Sequence, residues 1–118
     1  MPDRGKKSLE HLKQKYGLTP EALDAMEYHA DMACQICGKF PHEAGTKNRN
    51  GEVSPLHVDH DHATSKVRGL LCGKCNMGLC CFRDKPELLL SAFLYLLRHE
   101  AGERSYLGPQ EVEERREQ

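Results

Sequence analysis

Apolar residues recur at helical spacing in three stretches of the chain. In "SLEHLKQKYG" Leu9, Leu12 and Tyr16, with Lys13, share one face, and Gly17 follows as a residue suited to the left-handed turn that closes a helix. "TPEALDAMEYHA" predicts a second helix. Thr19 is its N-cap, Pro20 occupies the first helical position, and Leu23, Met26 and Ala30 form its apolar stripe. The strongest helical pattern is "RDKPELLLSAFLYLLRHEAG", where Asp84 and Glu87 fit a capping box and Leu88, Leu89, Ala92, Phe93, Leu96 and Leu97 supply a stripe expected to be buried. Gly102 is placed to end it, and the tail "PQEVEERREQ" reads as a charged helix or a frayed end.

Between the second and third helices the period changes. "LHVDH" and "KVRGLL" are short strand-like runs joined by "DHATS", which predicts a β-hairpin, and the polar segment from Phe40 to Pro55 predicts a loop with at most a short hairpin at "NRNGEV". The second run leads directly into "CGKCNMGL", a knuckle that opens a short helix. The expected class is therefore α+β: a hairpin and short helix flanked by N- and C-terminal helices.

At 118 residues and 13.4 kDa the chain is expected to be one domain with a modest core. A small core needs a staple. No apolar run approaches the roughly 18 residues of a membrane span, and "MPDRGKKSLEHLKQKYG" lacks the apolar centre of a signal peptide, so the expected location is intracellular and cytoplasmic. Net charge is -1, yet residues 39–85 hold eight Lys/Arg against five acids, a local balance of +3, while both flanks are acidic. A polyanion would meet the middle of the chain.

In a reducing compartment six cysteines are a poor disulfide framework, and Cys34-Gln-Ile-Cys37 with Cys72-Gly-Lys-Cys75 has the paired C-x-x-C spacing of a metal site. Two residues between the thiolates let both point inward from a tight turn. Four such ligands close a tetrahedral zinc site, which staples the fold and leaves no position for a substrate. Cys80 and Cys81 read as small buried apolar residues on the following helix. A thioredoxin-like redox role is disfavoured because no βαβ unit surrounds either pair.

"HVDHDH", residues 57–62, packs three His and two Asp into six positions. Were the strand regular throughout, His57, Asp59 and Asp61 would face one side and His60 and His62 the other. A carboxylate that holds a hard cation beside a neutral imidazole that takes a proton from water is what phosphodiester hydrolysis requires. Asn76, directly after the last knuckle cysteine, offers a second oxygen donor; capping the short helix would suit it equally.

The ordered set "CQICG", "LHVDHDH", "KVRGLLCGKCNMGL" and "DKPELLLSAFLYL" resembles the phage recombination endonuclease VII family, a branch of the HNH, ββα-metal or His-Me finger nucleases, over most of residues 16–97. The resemblance implies an endonuclease in which Asp59 and Asn76 hold a catalytic Mg²⁺ or Mn²⁺, His60 is the general base, and Cys34, Cys37, Cys72 and Cys75 hold structural Zn²⁺. It further implies that His62 acts near the phosphate, that Arg68, Lys66, Lys74 and His57 meet DNA, and that products carry a 5′-phosphate and a 3′-hydroxyl. Cys80 stands where members of the family often have glycine. The expected organisation is N-terminal helices over 1–33, the zinc-bound ββα core over 34–83, and a C-terminal helix with charged tail over 84–118. Homodimers belong to the same expectation, because the terminal helices carry more apolar surface than so small a core covers. So does a phage or prophage origin with action in the bacterial cytoplasm. The competing reading is a non-catalytic zinc module that binds DNA or protein.

Overall fold

A computed structural model describes residues 4–100; Gly102 and the tail expected as a charged helix lie outside the described residues. The elements are α1 (Gly5–Tyr16), α2 (Pro20–His29), α3 (Pro41–Ala44), β1 (His57–His60), β2 (Val67–Leu71), α4 (Gly73–Cys81) and α5 (Pro86–Glu100). The class is α+β, with one two-stranded sheet among the described residues. The chain forms two compact units, the first ending at Cys81 and holding α1 to α4 with both strands, the second beginning at Phe82 and holding α5.

In the first unit the helix boundaries follow their local signals. Gly17 adopts φ +67 and its N–H returns to the Lys13 carbonyl at 2.9 Å, closing α1. The Thr19 hydroxyl accepts the Ala22 N–H at 3.1 Å, and Pro20 opens α2. From this corner Leu12, Leu18 and Leu23 enter a core completed by Cys34, Ala44, Leu56, Leu70, Leu71 and Cys72. Two of those core residues are metal-ligand candidates, so the apolar core and the thiol cluster are one structure. Leu56 and Leu70 are fully enclosed, each worth about 1.5–3 kcal/mol of burial.

The segment read as a loop contains one short helix. Pro41 starts α3, and the Glu43 carboxylate accepts the Phe40 N–H at 3.0 Å, so a single turn forms where the composition predicted none. Beyond it a bridge between Lys47 and Val53 makes the short hairpin expected at "NRNGEV", with Asn48 Oδ1 accepting from the N–H groups of Asn50 and Glu52.

β1 and β2 form the expected antiparallel hairpin: His57 lies opposite Leu71, Val58 opposite Leu70 and Asp59 opposite Gly69. The register then slips to His60 opposite Val67, leaving Arg68 as the extra residue of a bulge. α4 follows and packs on both strands.

Strand β1 stops at His60, so the alternation considered for the whole of "HVDHDH" does not reach Asp61 and His62. The Asp61 carboxylate accepts the N–H groups of Ala63 at 2.8 Å and Thr64 at 3.1 Å, and those bonds hold its pKa below the ordinary value. Asp61 therefore builds the turn and does not share a strand face with Asp59.

In the second unit, α5 differs from expectation along its face. Pro86 is its first residue, which fits the fixed φ of proline, and Asp84, two residues earlier, takes φ +55. No α5 residue is buried: Leu88, Phe93, Leu96 and Leu97 are exposed, and Leu89 and Ala92 are half-buried. The stripe exists but is not covered, because α5 is the one element of its unit among the described residues.

Candidate functional site

The two knuckles meet. The Sγ atoms of Cys34, Cys37, Cys72 and Cys75 lie within 4.8 Å of one another, with Cys37 and Cys72 sulfurs 3.8 Å apart. Four thiolates around Zn²⁺ at about 2.3 Å form a tetrahedron with edges of about 3.8 Å, so the donor set fits that ion. Burial pushes the Cys34 thiol up, but backbone hydrogen bonds at Cys72, Cys37 and Ile36 and the Cys37 thiol outweigh it and bring the pKa down to about 6. Burial first, then the neighbouring thiols, push Cys75 up to about 12. A cation bound among the four sulfurs would draw the remaining thiol protons off the cluster. Cys80 and Cys81 lie outside the cluster and are exposed, not buried as expected, because α4 buries none of its residues and turns both outward at its C-terminal end.

Gln35 ties the first knuckle to the sheet. Its backbone N–H donates to the Leu70 carbonyl at 3.0 Å, and its side-chain Oε1 accepts the Leu70 N–H at 2.7 Å. Gly69 permits this approach, since a Cβ there would lie 2.2 Å from Oε1. Three residues after Gly69, just past the end of β2, the chain delivers Cys72 to the cluster.

Asp59 is the one buried charged residue of the described core, 8% exposed. A carboxylate in that position needs a partner, and Arg68 supplies it with two hydrogen bonds, Nε to Oδ2 at 2.7 Å and the second guanidinium nitrogen to Oδ1 at 3.0 Å. The bulge at Arg68 brings a residue that pairs with neither neighbour in the ladder onto the carboxylate opposite Gly69. Arg68 was expected on DNA; in the structure it occupies both oxygens expected to hold a cation.

His60, on the other face of β1, is half-buried between two rings. The Tyr16 hydroxyl is 3.1 Å from its Nδ1 and 3.5 Å from its Nε2, with ring centroids 4.9 Å apart. His62, exposed, lies edge-on with its centroid 4.7 Å from that of His60. Tyr16 and His60 both line a cleft of about 300 Å³ between α1 and β1, with Arg4, His11 and His57 among its walls. Burial, and then the charge of Arg4, hold His57 below its ordinary pKa, which favours a neutral hydrogen-bonding ring over a cation. Arg4 itself pairs with Glu27 at 3.7 Å and donates to the Leu56 carbonyl.

Asn76 lies inside α4, its N–H donating to the Cys72 carbonyl at 3.0 Å, so it is not the cap of that helix. Its amide oxygen and the Asp59 carboxylate are hard donors of the kind Mg²⁺ and Mn²⁺ take. Lys66 and Lys74 are exposed. The sequence and its family resemblance did not single out Arg4, His11, Tyr16, Glu27 or Gln35 at this site; the parts of Tyr16 and Gln35 depend on contacts with residues 44 and 35 positions away. Among the described residues no helix is long and apolar enough to cross a membrane.

A family model described as recombination endonuclease VII matches residues 9–98. Two phage proteins, each named gene 59 protein, are similar to this chain. That of Mycobacterium phage D29 is 37% identical over 108 residues, covering 87% of this chain and 59% of the phage protein. That of Mycobacterium phage L5 is 37% identical over 83 residues, covering 70% of this chain and 45% of the relative. The chain thus spans about half the length of the curated relatives it matches. No solved structure matches it.

Proposed function

The chain belongs to the recombination endonuclease VII family, and from that premise we propose that it is a metal-dependent DNA endonuclease of the HNH class. The observation that carries the reading is the placement of buried Asp59 beside His60 on a strand whose partner runs straight into the four-thiol cluster. Strands β1 and β2 with α4 are read as a ββα-metal, or His-Me finger, core spanning 34–83, preceded by helices over 1–33 and followed by a helix and charged tail over 84–118.

In this reading zinc on the four cysteines is structural, and Asp59 with Asn76 holds Mg²⁺ or Mn²⁺. That cation, when bound, supplies positive charge at the phosphodiester. His60 takes the proton of the attacking water; the water oxygen bonds to phosphorus, the P–O3′ bond breaks, and the departing 3′ oxygen gains a proton from solvent. The products are a 5′-phosphate and a 3′-hydroxyl. Arg68 exchanges the Asp59 carboxylate for a backbone phosphate, His62 and His57 act beside it, and Lys66 and Lys74 extend the basic surface. Duplex DNA, which the enzyme would nick, and branched DNA are the proposed substrates, the uncovered stripe of α5 is the proposed homodimer contact, and the relatives' phage origin supports action in a host cytoplasm.

The Arg68–Asp59 pair also favours a second reading, a non-catalytic zinc module, because it satisfies the carboxylate without a cation. Zinc-loaded wild type and His60→Ala incubated with supercoiled plasmid separate the two. Cutting by wild type alone, and only with added Mg²⁺ or Mn²⁺, supports the nuclease; equal cutting by both proteins removes His60 from the reaction. No cutting of plasmid or branched DNA by wild type leaves the binding module.

A further inference from the structure

We propose that the cleft between α1 and residues 54–60 is a DNA-strand subsite, in which Ser8, His11 and Lys15 hold backbone phosphates beside the one that is cut. The inference rests on the reading of the chain as a nuclease acting at His60. It gives the substrate a contact in the N-terminal flank, although residues 1–38 as a whole are acidic.

The cleft, about 300 Å³ in volume, is lined by exposed Ser8 and His11 and by buried Leu12 and Leu56, and none of its described lining residues is acidic. Apolar walls with a few hydrogen-bond donors and no carboxylate suit an organic anion better than a cation. The helix beside it is basic. Four lysines, Lys6, Lys7, Lys13 and Lys15, stand in α1 against the single acid Glu10. Arg4 also lines the cleft but is already engaged, by Glu27 at 3.7 Å and by the Leu56 carbonyl.

Helical spacing decides which lysine serves the cleft. Ser8, His11 and Lys15 recur at i, i+3 and i+7 on one face, and the Lys15 ammonium lies 5.3 Å from the centroid of the Tyr16 ring, itself a wall of the cleft. Lys13 falls about 200° around the helix from both His11 and Lys15. Glu10 is on another face, where its carboxylate accepts the Gln14 side-chain N–H at 2.9 Å. From Ser8 to Tyr16 the helix rises about 12 Å, the axial advance of about three nucleotides of one B-form strand. Tyr16 brings that path to His60, which its hydroxyl contacts. A hydroxyl, an imidazole N–H and an ammonium all donate to phosphate oxygens and none of them here reads a base, so the subsite positions a strand of any sequence.

The test titrates full-length, zinc-loaded wild type, Lys15→Gln, Lys13→Gln, Ser8→Tyr and His11→Ala against labelled duplex and branched DNA, by fluorescence anisotropy over a salt series without added Mg²⁺ or Mn²⁺. Nicking with Mn²⁺ and Tm are measured on the same proteins. Lys13→Gln is the matched control, since it too removes one charge from the last turn of α1. Lys15→Gln should raise Kd about eightfold at about 0.1 M salt and lower the slope of log affinity against log salt by about 1, the loss of one phosphate contact. Lys13→Gln should bind as wild type does. Ser8→Tyr keeps every charge but fills the cleft, and should weaken binding with Tm unchanged; His11→Ala, which adds no bulk, should weaken it too and decides the matter if Ser8→Tyr melts early. Equal weakening by Lys13→Gln and Lys15→Gln overturns the proposal, because bulk charge then explains both. Wild-type affinity in Lys15→Gln or in both cleft variants overturns it as well, as does a wild type that binds no DNA. Wild type that binds DNA but cuts nothing with Mn²⁺ sinks the nuclease reading instead, while the comparison of Kd values still judges the cleft.

Discussion

Replacing Arg68 with alanine should destabilise the protein, and the loss should be recovered by neutralising Asp59. The Asp59 side chain is 10% exposed and that of Arg68 37%, and both guanidinium contacts are short. Stranding a charge from a buried pair costs about 3–5 kcal/mol, whereas exposed pairs contribute about 0–1 kcal/mol. With one partner buried and the other more than a third exposed, about 2 kcal/mol is appropriate. In a domain of this size each kcal/mol moves Tm by about 4–8 °C, so Arg68→Ala should melt roughly 10 °C below wild type. Scanning calorimetry of zinc-saturated protein measures this. Arg68→Ala with Asp59→Asn should regain most of the difference, because no buried charge remains without a partner. Added Mg²⁺ should raise the Tm of Arg68→Ala more than that of wild type, since a ligand of the folded state stabilises it by mass action and meets no competing guanidinium. An Arg68→Ala protein that melts with wild type, or a double variant no better than the single, would refute the account of Asp59 as a buried carboxylate that depends on a cationic partner.

Three further perturbations separate staple from site. Cys72→Ser should yield protein that loses zinc and the cooperative melting transition, because structural zinc contributes on the order of 10 kcal/mol to folding; zinc content and calorimetry check it. Gly69→Ala should cost about 1–3 kcal/mol by driving Gln35 from the Leu70 N–H, and adding Gln35→Ala should relieve the clash without restoring the bond, which a double-mutant cycle in urea resolves. His60→Ala should keep Tm close to wild type while slowing cleavage roughly a hundredfold or more, since the ring is only half-buried and its hydrogen-bond contact is with the Tyr16 hydroxyl.

What was readable in the sequence was what local chemistry decides. Thr19 with Pro20, and Gly17, mark helix ends by their own backbone preferences, and both C-x-x-C pairs declare a tetrahedral donor set by spacing alone. The hairpin was readable because two short strand-like runs are joined by the turn-prone "DHATS". The turn chemistry was less legible, since Asp61 in an alternating "HVDHDH" looks like one more strand residue until its carboxylate is seen to take two backbone N–H groups. The α5 stripe shows the limit of periodicity: Leu88, Phe93 and Leu96 are spaced for burial, but spacing does not say whether anything covers them. Cys80 and Cys81 were misplaced for the same reason. Contacts between distant residues left no local mark at all. The Arg68–Asp59 pair depends on a bulge, and the Tyr16–His60 contact on where a helix end meets a strand end.

The measurement that tests the central claim most directly is a titration of Mn²⁺ into zinc-loaded wild type and Asp59→Ala, following supercoiled plasmid and a four-way-branched DNA on the same gels. The account predicts that wild type converts at least one of them to cut products with a 5′-phosphate, in proportion to added Mn²⁺, while Asp59→Ala remains folded, zinc-bound and inactive. Cleavage by Asp59→Ala at the wild-type rate, or cutting by wild type that is indifferent to Mn²⁺ and Mg²⁺ alike, would contradict it.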